Sequence, residues 1–102
     1  MMENQKKLEP TEIRVMKKND YIIIGVGEEL SFMNITETAT LRFENSQYIP
    51  LATLRIQDCV QTIDYEKRLI IIHVPEKAHQ VHHFWLSTKE RPQGTLYFLG
   101  LH

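Results

Sequence analysis

The chain has 102 residues, 42% of them hydrophobic and 25% charged, with a net charge of −1. It is long enough to bury a core without a disulfide or a structural metal, and it carries no clear basic signature of a dedicated duplex-DNA binder. Its one cysteine, Cys59, rules out an internal disulfide and points to a reducing compartment, and its longest apolar runs are too short for a membrane-spanning helix.

The opening, MMENQKKLEP, is polar and lacks the apolar stretch of a signal peptide. Residues 1–10 read as a flexible N-terminal segment, followed by a single β domain over 11–102 in a cytoplasmic protein. TEIRVMK then alternates, with Ile13 and Val15 on one face. KKND supplies turn chemistry, because Asn and Asp tolerate left-handed backbone. YIIIGV is apolar on both faces, as a central strand requires. GVGEEL has two of a phosphate loop's glycines but lacks the Lys-Ser/Thr that grips phosphate and metal, and two acids follow. It reads as a hairpin turn whose glycines supply positive φ.

TATLRFE is the cleanest alternation, setting Ala39, Leu41 and Phe43 against Thr38, Thr40, Arg42 and Glu44. After NSQ and Tyr48–Ile49 comes PLATLRIQDCVQTI, where two periods compete. Ala52, Ile56, Cys59, Val60 and Ile63 keep helical spacing, while Leu54 and Ile56 also alternate, so one short helix near 50–62 competes with strand. VQTIDYEKRLIIIHV is a hairpin turning at Asp64–Lys67. PEKA turns the chain into HQVHHFWL, STKERPQG is a loop, and TLYFLGL ends the series. Seven to eight short strands predict an all-β fold, a small antiparallel barrel or sandwich. Unclosed edges in such a fold favour a homodimer through a strand edge or the Trp85 face.

Charge is unevenly spread: residues 21–67 carry three basic and seven acidic side chains, whereas 68–102 carry four and two, plus all five histidines. A symmetric hairpin through PEKA would pair His73 with His79 and place Val81, His83 and Trp85 on their face. The more apolar even positions, Phe84 and Leu86 among them, would then face the core. Three chemistries compete for the odd face. His73, His79 and His83 offer imidazoles to a metal, but neither strand carries a carboxylate to orient them. The same rings with Lys89 and Arg91 offer stacking and charge to single-stranded nucleic acid, though sparsely. Trp, His and Arg also anchor protein interfaces.

Other catalytic patterns are missing. Cys59 has no CxxC partner and Asp58 beside it raises its pKa, while the serines lack a nucleophile elbow. The sequence is therefore read as a non-enzymatic regulatory or inhibitory module with no cofactor. It binds a protein partner through His73, His79, His83, Trp85, Lys89 and Arg91. The alternatives are a nucleic-acid-binding barrel, a His-ligated metal site on His73, His79 and His83 with hydrolytic or redox chemistry, and a small ligand in a barrel mouth.

Overall fold

The computed structural model describes residues 9–74 and 78–99. The described residues form eight strands in two antiparallel sheets. β1 (Ile13–Lys18), β2 (Tyr21–Val26), β5 (Val60–Asp64) and β6 (Leu69–His73) make the first sheet, in the order β1-β2-β6-β5. β3 (Thr40–Glu44), β4 (Pro50–Arg55), β7 (His83–Ser87) and β8 (Thr95–Phe98) make the second, in the order β4-β3-β7-β8. Each sheet joins two hairpins through their inner strands, β2 to β6 and β3 to β7. The sheets do not close into a barrel.

Alternation decides which faces meet. Ile22, Ile24 and Val26 of β2, with Ile70 and Ile72 of β6 and the following Val74, line one side of the core. Leu41 and Phe43 of β3, with Phe84 and Leu86 of β7, line the other. The even-numbered positions of HFWLS thus face inward as the pattern predicts. The turn residues behave as their chemistry demands: Asn19 sits at φ 56°, and Lys67 N–H donates to Asp64 Oδ1 at 3.0 Å.

Four expectations need correction. The hairpin between His73 and His79 does not form, because β6 spends both edges on β2 and β5 and β7 pairs with β3 and β8. PEKA lies largely outside the described residues, and Ala78–Gln80 form one 3-10 turn. GVGEEL is no hairpin turn either: it leads from β2 into a helix, α1 (Phe32–Thr38). Gly27 has no positive φ; a Cβ there would run into the carbonyl oxygens of Pro10 and Glu9. Helix α1 is an element the alternation argument passes over. Ser31 caps it by accepting from Asn34 N–H at 3.2 Å, and Phe32, Ile35 and Thr36 bury its inner side.

Helix shrinks to one turn within 50–62. α2 (Ile56–Cys59) is the corner by which the chain passes from β4 to β5, with Ile56 fully buried and its N–H on Ala39 O at 2.9 Å. Strand wins on either side because β3 and β6 supply ladders. Of the expected flexible segment, residues 1–8 lie outside the described residues. Glu9 and Pro10 are held: Glu9 N–H donates to Glu12 Oε1, and Pro10 O accepts from Glu29 N–H at 2.9 Å.

Candidate functional site

The side chains on the outer face of the second sheet pair across β3 and β7. The register sets Glu44 opposite His83 and Arg42 opposite Trp85, both pairs pointing away from the core. Yet Glu44 is only 4% exposed and His83 not at all. A buried carboxylate survives only if its lone pairs are used. Glu44 Oε1 accepts from His83 Nε2 at 2.7 Å and from Trp85 Nε1 at 2.9 Å, and Oε2 accepts from Arg42 Nε at 3.0 Å. Burial pushes the Glu44 carboxyl up, but the bonds from Trp85, His83 and Arg42, with the Arg42 charge, outweigh it and hold the group below its ordinary value.

The tautomers follow from that charge. An ionised Glu44 only accepts, so His83 Nε2 carries a hydrogen. His83 Nδ1 lies 3.0 Å from His82 Nδ1, and one hydrogen between the two rings serves both. The result is a carboxylate–imidazole–imidazole chain running from the buried Glu44 to the half-buried His82.

Two aromatic rings close over this chain. Tyr48 lies on His83 with ring centroids 4.2 Å apart, and Phe98 packs on both His83 and His82 at 5.4 and 5.5 Å. Tyr48 is placed by the turn after β3. Asn45 Oδ1 accepts from the N–H groups of Gln47 and Ile49, Asn45 O accepts from Tyr48 N–H, and Tyr48 itself takes φ 63°. Left-handed backbone is uncommon for a tyrosine and marks a turn that its surroundings over-determine. The Arg42 guanidinium lies 5.6 Å over the Trp85 ring.

Only part of the predicted face is assembled. His83 and Trp85 share it, but His83 is buried and Trp85 half-buried. His73 ends β6 in the other sheet, exposed, edge-on to Tyr21 at 5.4 Å. His79 is exposed in the 3-10 turn, beside His82 in a shallow depression with Asn45 and Ser46. Lys89 and Arg91 lie in the loop after β7, both exposed. Sequence reasoning missed Glu44, Arg42, Tyr48 and His82 as site residues, and offered Phe98 only as an extension of a stacking platform together with Tyr97, which lies on the other face. The period-2 pattern of TATLRFE does put Arg42 and Glu44 on the outer face, so part of that signal was there.

Among the described residues no group of three or more His, Cys, Asp or Glu is placed to hold a metal ion. Among the described residues, His82 and His83 are hydrogen-bonded to each other and His83 to Glu44. Cys59 shares another depression with Asp58 and His73, but burial and then Asp58 push its thiol up to about 11. Its S–H donates to Ile56 O at 3.4 Å. A cleft of about 270 Å³ opens between β1 and β8, with Ile13, Ile35, Leu86 and Tyr97 inside and Arg91 among its lining residues. Burial pushes the Tyr97 phenol up, Arg91 pulling it back and Glu12 adding to the rise.

No protein-family model, no curated protein and no solved structure matches the chain. Among the described residues, no helix is long and apolar enough to cross a membrane.

Proposed function

We propose that this chain is a non-enzymatic regulatory or inhibitory binding module that takes a protein partner on the outer face of the second sheet. Tyr48 and Phe98 are its anchors, and the two sheets serve as an open sandwich that holds them. One observation carries the reading. Two aromatic side chains, 51% and 52% exposed, meet over one fully buried histidine whose own partners are all satisfied. Rings held that way lose little conformational entropy on binding, which is what an interface anchor needs. Of the other exposed large apolar side chains, Ile49 adjoins Tyr48 in the same turn, and Met16, Tyr21, Met33 and Tyr65 sit on different elements.

A protein partner fits better than a nucleic acid. The cations that the register sets on this face are already engaged, Arg42 with Glu44 and Trp85 and Arg55 with Asp58, so stacking surface comes with little spare phosphate-binding charge. Cys59, with no partner cysteine, fits a reducing, cytoplasmic setting.

The test is capture from lysate, with and without nuclease, by the wild type and by Phe98→Ala, Tyr48→Ala and Met16→Ala. A specific protein should be retained by the wild type and Met16→Ala, be indifferent to nuclease, and weaken by about 2 kcal/mol or more in each ring variant. Equal recovery by all four chains rejects the reading. Trp85→Ala is the wrong probe, since it also strips a hydrogen bond from Glu44.

A further inference from the structure

We infer that the free edge of β8 is a self-association site at which a second copy of this chain pairs antiparallel, extending the second sheet across a two-fold axis. This goes beyond the proposed partner face, with which it shares Phe98, and a chain that stays monomeric still presents both Tyr48 and Phe98 to a partner.

The backbone shows which groups are on offer. Leu99 N–H donates to His82 O at 3.2 Å, and the β7–β8 register pairs His83 with Phe98, Phe84 with Tyr97, Trp85 with Leu96 and Leu86 with Thr95. Hydrogen-bonded and non-hydrogen-bonded pairs alternate in an antiparallel ladder. Thr95 and Tyr97 therefore spend their N–H and C=O groups on β7, as Leu99 spends its N–H, and Leu96 and Phe98 aim theirs at the open edge. Among the described residues no strand takes them up.

The four edges of the two sheets differ in how they resist such pairing. Natural edges are guarded by charge, proline or a bulge. β1 carries Arg14, Lys17 and Lys18, and its antiparallel self-pairing about Met16 would set Arg14 opposite Lys18 twice. β4 opens with Pro50, which has no N–H to give, and is irregular between Phe43 and Glu44 of its partner β3. β5 ends in Asp64 and is irregular between Val60 and Thr62. β8, Thr-Leu-Tyr-Phe, has no charge, no proline and no register break.

Charge selects the occupant. With Tyr97 on the axis, Leu96 of each copy lies opposite Phe98 of the other, and these are the residues whose backbone groups are free. The same two side chains share the outer face, so each hydrogen-bonded pair also sets leucine against phenylalanine. Cross-strand apolar pairs of this kind stabilise a ladder, and like charges set opposite each other destabilise it. Phe98, 52% exposed in one chain, gains cover. The interface is isologous and closed, so it stops at two copies.

A ladder of three opposed β8 residues is short, and sedimentation equilibrium from about 1 μM to about 1 mM covers the affinity it can give. The wild type should approach the mass of two chains at the upper end. Two double variants test the register with opposite expectations. Leu96→Lys with Phe98→Lys sets like charges across both pairs and should stay at one chain throughout. Leu96→Lys with Phe98→Glu sets opposite charges across both pairs and should dimerise. Circular dichroism checks that each is folded. A wild type of one-chain mass over the whole range overturns the inference, whether or not the variants fold. Equal association by the two folded double variants also overturns it.

Discussion

Removing the Glu44 carboxylate should cost far more than removing its charged neighbour. Glu44→Ala leaves His83 Nε2–H and Trp85 Nε1–H without their acceptor at one stroke. A buried donor left unpaired costs about 1–3 kcal/mol. His83 is wholly inaccessible and bears the full penalty, while half-buried Trp85 can turn to water, so the expected loss is about 2–4 kcal/mol. Arg42→Ala breaks an ion pair whose arginine side chain is 49% exposed, worth at most about 1 kcal/mol. Glu44→Gln falls between, at about 1–2 kcal/mol. Its single carbonyl oxygen can still serve His83 and Trp85, but its amide then opposes the Arg42 N–H, which swings into solvent. Urea denaturation at neutral pH, with the slope checked for constancy, reads the three losses directly. The order Ala at 44, then Gln at 44, then Ala at 42 is the claim. Losses for Glu44→Ala and Arg42→Ala within about 0.5 kcal/mol of each other would refute it, because the carboxylate would then hold nothing that the surface arginine does not.

Three further outcomes follow from the same structure. The Glu44 pKa is lower in the folded chain than its ordinary value, so its stabilisation is complete above the usual carboxylate range and is lost as pH falls through the folded value. Denaturation from about pH 7 to about pH 3 should show the gap between wild type and Glu44→Gln closing with acid, and a constant gap would contradict the assignment. At neutral pH the Cys59 thiol should react with a thiolate-seeking reagent about a hundred-fold more slowly than an unshifted thiol, since burial and Asp58 raise it from 9.0 to about 11; labelling at the ordinary rate would show otherwise. Gly27→Ala should destabilise by about 1–3 kcal/mol, because its methyl meets the backbone of Glu9 and Pro10 rather than a movable side chain; an unchanged urea midpoint would mean that this segment yields freely.

Local pattern carried the strands well. Alternation in TATLRFE and in HFWLS set the inward positions correctly, KKND turned with Asn19 at positive φ, and Asp64–Lys67 turned where Asp64 accepts a backbone N–H. What failed was pairing. A β-rich chain has many local hairpins to offer, and β6 followed by β7 looks like one more. The actual partners, β2 for β6 and β3 for β7, lie 39 to 52 residues away and leave no trace in period or turn chemistry. Helix α1 shows the other blind spot. Ser31 followed by Phe32, Ile35 and Thr36 is a capped, amphipathic turn and a half, legible once the glycines before it are no longer read as a hairpin. The glycines misled because their usual role is positive φ, whereas Gly27 is required by close approach of the chain's own backbone.

The candidate site depends on both kinds of information. Period alone puts Arg42, Glu44, His83 and Trp85 on an outer face, where charged and amphipathic side chains are ordinary. What turns that face into a site is the turn of residues 45–49, wired through Asn45, which swings Tyr48 back over His83, and β8, which brings Phe98 to the same ring. With those covers the carboxylate and imidazole lose water, and their hydrogen bonds become obligatory instead of optional. The polar network and the aromatic rings therefore depend on each other. The rings exclude solvent from Glu44 and His83, and the satisfied pair gives the rings a fixed floor. An outer face without that floor would leave Tyr48 and Phe98 free to turn. Rigid presentation of exposed aromatic surface is what distinguishes this face from the scattered apolar side chains elsewhere on the protein.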